Sequence, residues 1–270
     1  MKRLFPTTKI IFLGLELDSI EMEIRLPDDK LCKLRDKLKY FQNKKKCTLQ
    51  ELQSVIGLLK FAYAVVRPVR AFLRRIIDLT LRLKCPTHRR WLTKETRADL
   101  SAWSLFTESF NGKSLLLNDK WMNSEQLCLY TDASNLGLGG VFGNKWFTER
   151  WPVNWLQYHI TIRELFPIVL AIHLWGRNLQ NKCVQFHTDN MAVVHIINKQ
   201  TSKDPTIMKF VRQFVLLILK YNIMFKALHI KGAKNKAADQ LSRLQIHQFK
   251  KDFPFMNSTP ELVRPDLLEI

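Results

Sequence analysis

The first clear pattern along the chain lies in residues 9–26, where two apolar runs flank a polar turn and predict a β-hairpin. One strand is expected over residues 9–17, the turn over residues 18–21 and the return strand over residues 22–26. Because a lone hairpin is marginally stable in water, we expect its sheet partner to lie outside this chain. The pattern therefore predicts that the sequence begins inside a larger domain.

Apolar residues at helical spacing follow, and they predict a mainly helical domain over residues 27–110. A connector over residues 111–126 is expected to complete this half of the chain. Start signals for four helices lie at Pro27, at the capping box Thr48-Leu-Gln-Glu51, after Arg67-Pro68 and near Thr93.

Residues 127–245 change to short strands that alternate with helices, a pattern typical of an α/β domain. We predict a five-stranded mixed sheet with flanking helices, followed by a C-terminal tail over residues 246–270. The strands are expected over residues 127–131, 137–142, 146–151, 184–188 and 224–230. The helices are expected over residues 162–179, 191–198 and 205–221, with a short one after Asn235.

The net charge of +19 and the pI near 9.9 favour a polyanionic partner, either nucleic acid or an anionic membrane surface. A basic protein without such a partner is the alternative. The most apolar stretch, residues 210–225, is too short to span a bilayer and contains charged residues, and no signal-peptide pattern is present. The five scattered cysteines form no CxxC pair, which argues against a disulfide framework or a zinc site. We therefore expect an intracellular protein without a membrane partner.

Acidic residues are scarce in residues 127–245, which contain six acids against 15 basic residues. Asp132 and Asp189 are each predicted to end a strand, and Glu164 and Asp239 to fall in the first turn of a helix. Because α/β proteins place their sites at one edge of the sheet, we expect the four carboxylates to converge there. Divalent cations would relieve their repulsion, and Mg²⁺ prefers oxygen ligands of this kind.

Each of these acids also has a structural interpretation. Glu164 fits a capping box that begins at Thr161, and Asp239 suits the dipole of its helix. The two strand-end aspartates suit turns, with Asn190 as the cap of the following helix. Asp204, directly before a proline, is the best candidate for a purely structural N-cap.

The order of four motifs resembles the ribonuclease H domain of retroelement reverse transcriptases, in the DIRS-type and LTR-type versions. These motifs are Tyr130-Thr-Asp-Ala-Ser134, Ile162-Arg-Glu-Leu165, His187-Thr-Asp-Asn190 and His229 to Arg243, the last with Gly232, Asn235, Ala238-Asp239 and Leu241-Ser-Arg243. The N-terminal half is similar to the palm end, primer-grip hairpin and thumb of the same enzymes. That similarity rests on Phe12-Leu-Gly-Leu-Glu-Leu-Asp18, Arg25-Leu-Pro27, Leu49 to Gly57 and Arg67 to Leu73.

The resemblance implies metal-dependent hydrolysis of the RNA strand of an RNA–DNA hybrid, with two Mg²⁺ or Mn²⁺ ions. It implies metal-ligand roles for the four acids and a catalytic role for His229, with a structural histidine as the alternative. It also implies contacts to a hybrid or another duplex through shape and phosphate groups. The residues expected to make these contacts are Lys44, Lys45, Lys46, Arg70, Arg74, Arg75, Asn190 and Asn235.

The YxDD polymerase motif of this family is absent from the sequence, so the resemblance implies no polymerase activity in this chain alone. The fingers and palm of a reverse transcriptase, within a longer polyprotein, are the expected protein partner. A catalytically silent, nucleic-acid-binding remnant is the alternative function. The basic run 44–46 has a solvated loop as its alternative. Four tryptophans are predicted to be core residues, with stacking on bases as the alternative: Trp146, Trp151, Trp155 and Trp175.

Overall fold

The chain was studied as a computed structural model, which describes residues 7–65, 69–109, 113–114, 122, 124–127 and 129–268. It divides into two compact units, Met1–Leu117 and Asn118–Ile270. Most of the connector predicted over residues 111–126 lies outside the described residues, as does the helix start signal Arg67-Pro68. Within the described ranges, no helix is both long enough and apolar enough to cross a bilayer.

The first unit contains short strands and four helices among its described residues. In chain order they are β1 (Lys9–Phe12), β2 (Leu15–Asp18), β3 (Glu23–Arg25), α1 (Asp28–Gln42), β4 (Lys46–Thr48), α2 (Leu49–Ala62), α3 (Arg74–Asp78), β5 (Arg89–Trp91), α4 (Lys94–Ser109) and β6 (Lys113–Ser114).

The strand predicted over residues 9–17 is interrupted by a two-residue turn. Leu13 and Gly14 both have positive φ, at 49° and 78°, so the chain reverses between β1 and β2. A second turn then leads to β3, where Oδ1 of Asp18 accepts the backbone N–H groups of Ile20 and Glu21. These strands form an antiparallel sheet in the order β1-β2-β3-β6. The expectation that the hairpin lacks a sheet partner in this chain was wrong, because β6 pairs with β3.

The helices of the first unit pack through the apolar faces that the sequence predicts. Thr48 and Glu51 form the expected capping box at the start of α2. Residues 69–78 form a 3₁₀ turn (Val69–Phe72) followed by the short α3, rather than one long helix. Fully buried side chains from α1, α2 and α4 include Leu38, Phe41, Leu52, Val55, Leu59, Leu100 and Trp103.

The second unit has α/β architecture. Its described elements are α5 (Ser124–Leu127), β7 (Leu129–Ala133), β8 (Gly137–Phe142), β9 (Lys145–Arg150), α6 (Ile160–Trp175), β10 (Cys183–Thr188), α7 (Met191–Lys199), α8 (Pro205–Lys220), β11 (Met224–His229), α9 (Lys236–Ser242) and α10 (Ile246–Asp252).

All five predicted strands of this unit are present, but one continuous five-stranded sheet is not confirmed. The strands β7, β8 and β9 form an antiparallel sheet, and β10 and β11 form a separate parallel pair. The hydrogen-bond ladder does not continue from β7 to β10 among the described residues, although the two strands run close together. The mixed strand directions predicted from the sequence are therefore divided between two small sheets.

Aromatic side chains fill the core of the second unit. The four tryptophans predicted as core residues are all at most 4% exposed, which leaves stacking on bases unsupported for them. The helix α6 runs through Pro167 without a break and is buried along most of its length. Trp155 contacts Phe166 of this helix and Phe210 of α8, with ring centroids 4.6 and 5.6 Å apart.

The C-terminal segment, expected as a tail, is an integral part of the second unit. Phe249 of α10 is fully buried against Trp146, with ring centroids 5.2 Å apart. The indole N–H of Trp146 donates to the carbonyl of Asn257, and that of Trp155 donates to the carbonyl of Leu268, both at 2.7 Å. The segment therefore covers two core tryptophans and satisfies the polar group of each indole ring.

Candidate metal centre

Three of the four predicted acids converge in the second unit. Asp132, Glu164 and Asp189 each place a carboxylate oxygen so that all three atoms lie within 4.8 Å of one another. Asp132 and Glu164 are buried, whereas Asp189 is exposed. Because they come from β7, α6 and the residue after β10, the folded topology alone brings them together.

The position of Glu164 follows from where α6 begins. The helix starts at Ile160, and its N-cap is His159, whose Nδ1 accepts the backbone N–H of Thr161. The capping box proposed for Thr161 and Glu164 was therefore wrong, since Thr161 already lies inside the helix. Glu164 instead lies near β7, where the backbone N–H of Ala133 favours its charged form.

Burial and mutual repulsion make this group of carboxylates costly to ionise together. Burial, with the nearby charges of Asp132 and Asp189, raises the pKa of Glu164 to about 9. Burial also raises the pKa of Asp132 to about 6, although a hydrogen bond from Ser242 opposes this. The site would therefore take up protons near neutral pH unless a cation balances its charge.

Asp239, the fourth predicted ligand, lies on the same pocket but outside this cluster of three. An open cavity of about 380 Å³ is lined by Asp132, Asp189 and Asp239, together with Gly232, Ala233, Asn235, Lys236 and Arg243. Oδ1 of Asp239 accepts a 2.8 Å hydrogen bond from Nε of Arg243, one helical turn later. Its carboxylate is therefore neutralised by a neighbouring side chain.

Ser242 is a residue to which sequence reasoning assigned no role, although the motif that contains it was recognised. Its side chain is fully buried, and its hydroxyl lies 2.6 Å from Oδ2 of Asp132 and 2.9 Å from the carbonyl of Asp239. Its own carbonyl accepts a 2.7 Å hydrogen bond from the hydroxyl of Ser134. Ser242 thus connects the helix that contains Asp239 to the strand that contains Asp132.

The close approach of α9 to the sheet depends on Gly139. A Cβ atom at this position would lie 2.4 Å from Cβ of Leu241 and 2.7 Å from the backbone nitrogen of Ser242. A side chain of any size would therefore push α9 away from β8. Gly139 pairs with Asp132 across the β7–β8 ladder, so this contact lies directly beside the carboxylates.

Two asparagines predicted to contact nucleic acid have structural roles in the fold. Asn190 caps α7, and its Oδ1 accepts the backbone N–H groups of Ala192 and Val193. Asn235 occupies the N-cap position of α9, but its side chain donates to the carbonyl of Thr131 instead of capping the helix. Its Oδ1 is buried, has no hydrogen-bond partner among the described residues, and belongs to a side chain that lines the cavity.

His229, the predicted catalytic histidine, lies at the edge of the carboxylate cluster. It ends β11 opposite Thr188, and its Nε2 lies 3.1 Å from the backbone carbonyl of Asp189. The imidazole is exposed. The fold therefore brings this histidine beside one predicted ligand, while its ring remains accessible to solvent.

The six predicted basic contact residues all lie in the first unit, and several have partners there. Lys44 forms an ion pair with Glu51, while Arg74 pairs with Asp78 and Arg75 with Asp99. The ammonium of Lys46 lies over an aromatic ring, and Lys45 and Arg70 are exposed. Lys46 belongs to β4, so the basic run is partly strand and not entirely loop.

A family of known proteins is similar to much of the second unit. Residues 123–217 match a family model described as the RNase H-like domain found in reverse transcriptase. This range includes Asp132, Glu164 and Asp189. Much of the second unit is therefore similar to the ribonuclease H-like domain of reverse transcriptases, which supports a nucleic-acid-related function.

Two solved structures from foamy virus are similar to longer parts of the chain. One is the protease-reverse transcriptase "dRH" in complex with double-stranded DNA, at 14% identity and a TM-score of 0.34, covering 82% of this chain and 38% of that one. The other is the protease-reverse transcriptase with an RNA/DNA hybrid, at 14% identity and a TM-score of 0.35, covering 96% and 31%. The chain thus spans about a third of the length of these structures. No curated protein sequence matched it.

Proposed function

We propose that the second unit is a metal-dependent endonuclease that hydrolyses the RNA strand of an RNA–DNA hybrid. The observation that carries this proposal is the convergence of three carboxylates within 4.8 Å, from three separate stretches of chain. Two of these carboxylates are buried, whereas acids without a specific role usually lie on the surface. The match of residues 123–217 to the ribonuclease H-like family supports the choice of reaction.

The donor set fits Mg²⁺ or Mn²⁺. All three groups offer hard carboxylate oxygens, and the raised pKa values of Asp132 and Glu164 mean that a cation would relieve a real electrostatic cost. Ser242 donates a hydrogen bond to Oδ2 of Asp132, and the carboxylate keeps further lone pairs on both oxygens for metal ions. The unpartnered Oδ1 of Asn235 adds an acceptor beside the same cavity.

We assign Asp132, Glu164 and Asp189 to one ion and Asp132 with Asp239 to a second. In the second assignment, the ion would share the carboxylate of Asp239 with Arg243, whose Nε donates to Oδ1. Bound divalent ions lower the pKa of water and stabilise the charge that develops on a leaving oxygen. We assign a proton-transfer role to His229, which is exposed and lies 3.1 Å from the backbone carbonyl of Asp189.

The surroundings of the cavity favour a phosphate-bearing substrate. Lys236 and Arg243 line it together with the acids, and an approaching phosphate group can bind these two cations in exchange for their present ion pairs with Asp252 and Asp239. We infer that the first unit, with its hairpin (residues 1–26) and helical part (residues 27–110), corresponds to the palm end and thumb of a reverse transcriptase. In this proposal, its exposed basic side chains follow a duplex, and the fingers and palm belong to a longer polyprotein.

The test is hydrolysis of a hybrid with a labelled RNA strand by the purified chain in Mg²⁺. We expect cleavage by the wild type and a loss of at least about 1,000-fold in Asp189→Asn, because a metal ligand loses its charge. Asp204→Asn is the matched control, since this aspartate caps α8 and asparagine caps equally well. Cleavage that survives Asp189→Asn would overturn the proposal.

The alternative function, a silent nucleic-acid-binding remnant, has one observation in its favour. Asp239 is already paired with Arg243, so the second ion would have to compete with an internal cation. This alternative predicts salt-dependent binding of duplexes without turnover at any Mg²⁺ concentration. Restoration of cleavage by Arg243→Gln would identify this ion pair as the cause of silence.

A further inference from the structure

One tryptophan differs from all the others that the structure describes. Trp103, Trp146, Trp151, Trp155 and Trp175 are at most 4% exposed, whereas Trp91 is 61% exposed. Trp91 lies in the first unit, on β5, and has no part in the proposed nuclease site. A large aromatic side chain held in water is a common feature of binding surfaces, because it offers much contact area for little conformational entropy.

The backbone around Trp91 is firmly anchored. The strands β4 and β5 pair as a short antiparallel ribbon, with Lys46 opposite Trp91 and Cys47 opposite Arg90. The ribbon continues at one end, where the backbone N–H of Leu92 donates to the carbonyl of Lys45. Cys47 and Leu92 are buried and fix the ribbon to the core of the unit. The β4–β5 pairing and these buried side chains therefore hold the backbone of Trp91 in place.

A cation lies over the exposed ring, and the neighbouring sequence is basic. The ammonium of Lys46 lies 4.2 Å from the centroid of the Trp91 ring and makes a cation–π contact with it. The chain between Asp78 and Glu95 contains no acidic residue. The basic residues of this stretch and of the facing strand region are Arg82, Lys84, Arg89, Arg90, Lys94, Lys44, Lys45 and Lys46.

Glu51, an acid that contacts the basic run, is already engaged. Glu51 closes the capping box of α2 and also pairs with Lys44, so it does not neutralise Lys45 or Lys46. The guanidinium of Arg90 donates to the backbone carbonyl of Leu81, which neutralises none of its charge. Lys46 therefore remains a positive charge beside the accessible ring of Trp91, with no ion pair to it among the described residues.

We propose that the β4–β5 ribbon is a binding site for single-stranded nucleic acid, with a base stacked on Trp91 and phosphates on the surrounding basic side chains. Sequence-tolerant sites of this kind combine an aromatic platform with a basic groove. A duplex hides its bases from such a ring, which argues for an unpaired strand. An anionic membrane needs more buried apolar area than one ring supplies. This inference is independent of the nuclease activity and lies in the other unit of the chain.

The experiment measures binding of fluorescein-labelled oligo(dT) and oligo(U) to the full chain in EDTA, by anisotropy. We expect Trp91→Ala to weaken binding about tenfold and Trp91→Phe to restore most of the loss, because both aromatic rings stack on bases. Leu105→Ala is the control, since this leucine of α4 is similarly exposed. Binding should also quench tryptophan fluorescence in the wild type and much less in Trp91→Phe.

The salt dependence separates stacking from charge. Lys46→Gln and Arg90→Gln should each lower the slope of log affinity against log salt by about 0.7, whereas Trp91→Ala should leave it unchanged. Equal affinity of wild type and Trp91→Ala for both oligonucleotides would overturn the proposal. So would a Trp91-dependent preference for blunt duplex, or for vesicles of phosphatidylserine, over single strands.

Discussion

The hydroxyl of Ser242 donates a 2.6 Å hydrogen bond to Oδ2 of Asp132, so the end of α9 orients the carboxylate at the centre of the candidate site. A hydrogen bond to a charged acceptor is worth about 1.5–3 kcal/mol, more than most neutral ones. Asp132 is the residue that we assign to both ions. Its orientation therefore affects every step that depends on them.

Removing this hydroxyl should impair turnover more than folding. We expect Ser242→Ala to lower kcat about tenfold and to raise the Mg²⁺ concentration needed for half-maximal cleavage. Thr148→Val is the matched control, because it removes a 2.7 Å hydrogen bond to the carbonyl of Leu241 in the same helix without touching a carboxylate. A similar loss of kcat in Thr148→Val would mean that Ser242 acts only through the docking of α9.

The raised pKa of Glu164 predicts how stability depends on pH when no divalent cation is present. Its pKa is about 9 in the fold against 4.5 in an unfolded chain, so folding favours the protonated acid. This contribution is complete below about pH 4.5 and is lost as the pH rises towards 9. Glu164→Gln should therefore melt close to the wild type at pH 5 and at least several degrees above it at pH 8, in EDTA.

Mg²⁺ should reverse that difference. The ion should stabilise the wild type more at pH 8 than at pH 6, because ligands bind it in their deprotonated form. Mg²⁺ should raise the melting temperature of the Glu164→Gln variant less than that of the wild type at both pH values. Thermal melts that show the same pH profile for the two proteins in EDTA would contradict the burial cost inferred for this acid.

Two glycines should respond to alanine in opposite directions. Gly139→Ala should destabilise the second unit by about 1–3 kcal/mol and reduce cleavage, since the new methyl group overlaps Leu241 and displaces α9. Gly57→Ala should stabilise the first unit by up to about 1 kcal/mol, because this position in α2 has open space around its Cβ. Chemical denaturation of each variant measures both effects, and a tolerated Gly139→Ala would refute the tight contact.

The C-terminal segment should behave as part of the core. Phe249→Ala should cost about 3–5 kcal/mol, because the side chain is fully buried against Trp146. Phe255→Ala, at 67% exposure, should change stability by no more than about 0.5 kcal/mol. Equal denaturation midpoints for the two variants would mean that the segment contributes little to the fold.

The sequence predicted the candidate ligands because acidic residues are scarce in residues 127–245 and because four of them lie at predicted strand ends or in the first turns of predicted helices. Asp132 and Asp189 lie at or next to strand ends, and that half of the chain contains few other acids. Ser242 escaped prediction because its role depends on a contact with a residue 110 positions away. The buried, unpartnered Oδ1 of Asn235 could not be predicted either, because it depends on the hydrogen bond from its amide to the carbonyl of Thr131.

The errors of local prediction also have physical causes. The run from Lys9 to Leu17 looks like one strand, but Leu13 joins Gly14 in a positive-φ turn that leucine rarely adopts. Thr161 matches the capping-box pattern, yet the helix begins earlier because the side chain of His159 accepts its N–H. The hydrophobic periodicity of the C-terminal segment is weak. The segment is held in the fold by hydrogen bonds from two indole N–H groups and by the burial of Phe249.

The closure of the site by α9 has a consequence for the order of events in the cell. Asp132 emerges from the ribosome more than one hundred residues before Ser242, the residue that orients it. A growing chain therefore displays its first carboxylates well before the helix that completes the pocket can dock. The candidate site is therefore incomplete until α9 has been synthesised and has packed against β8.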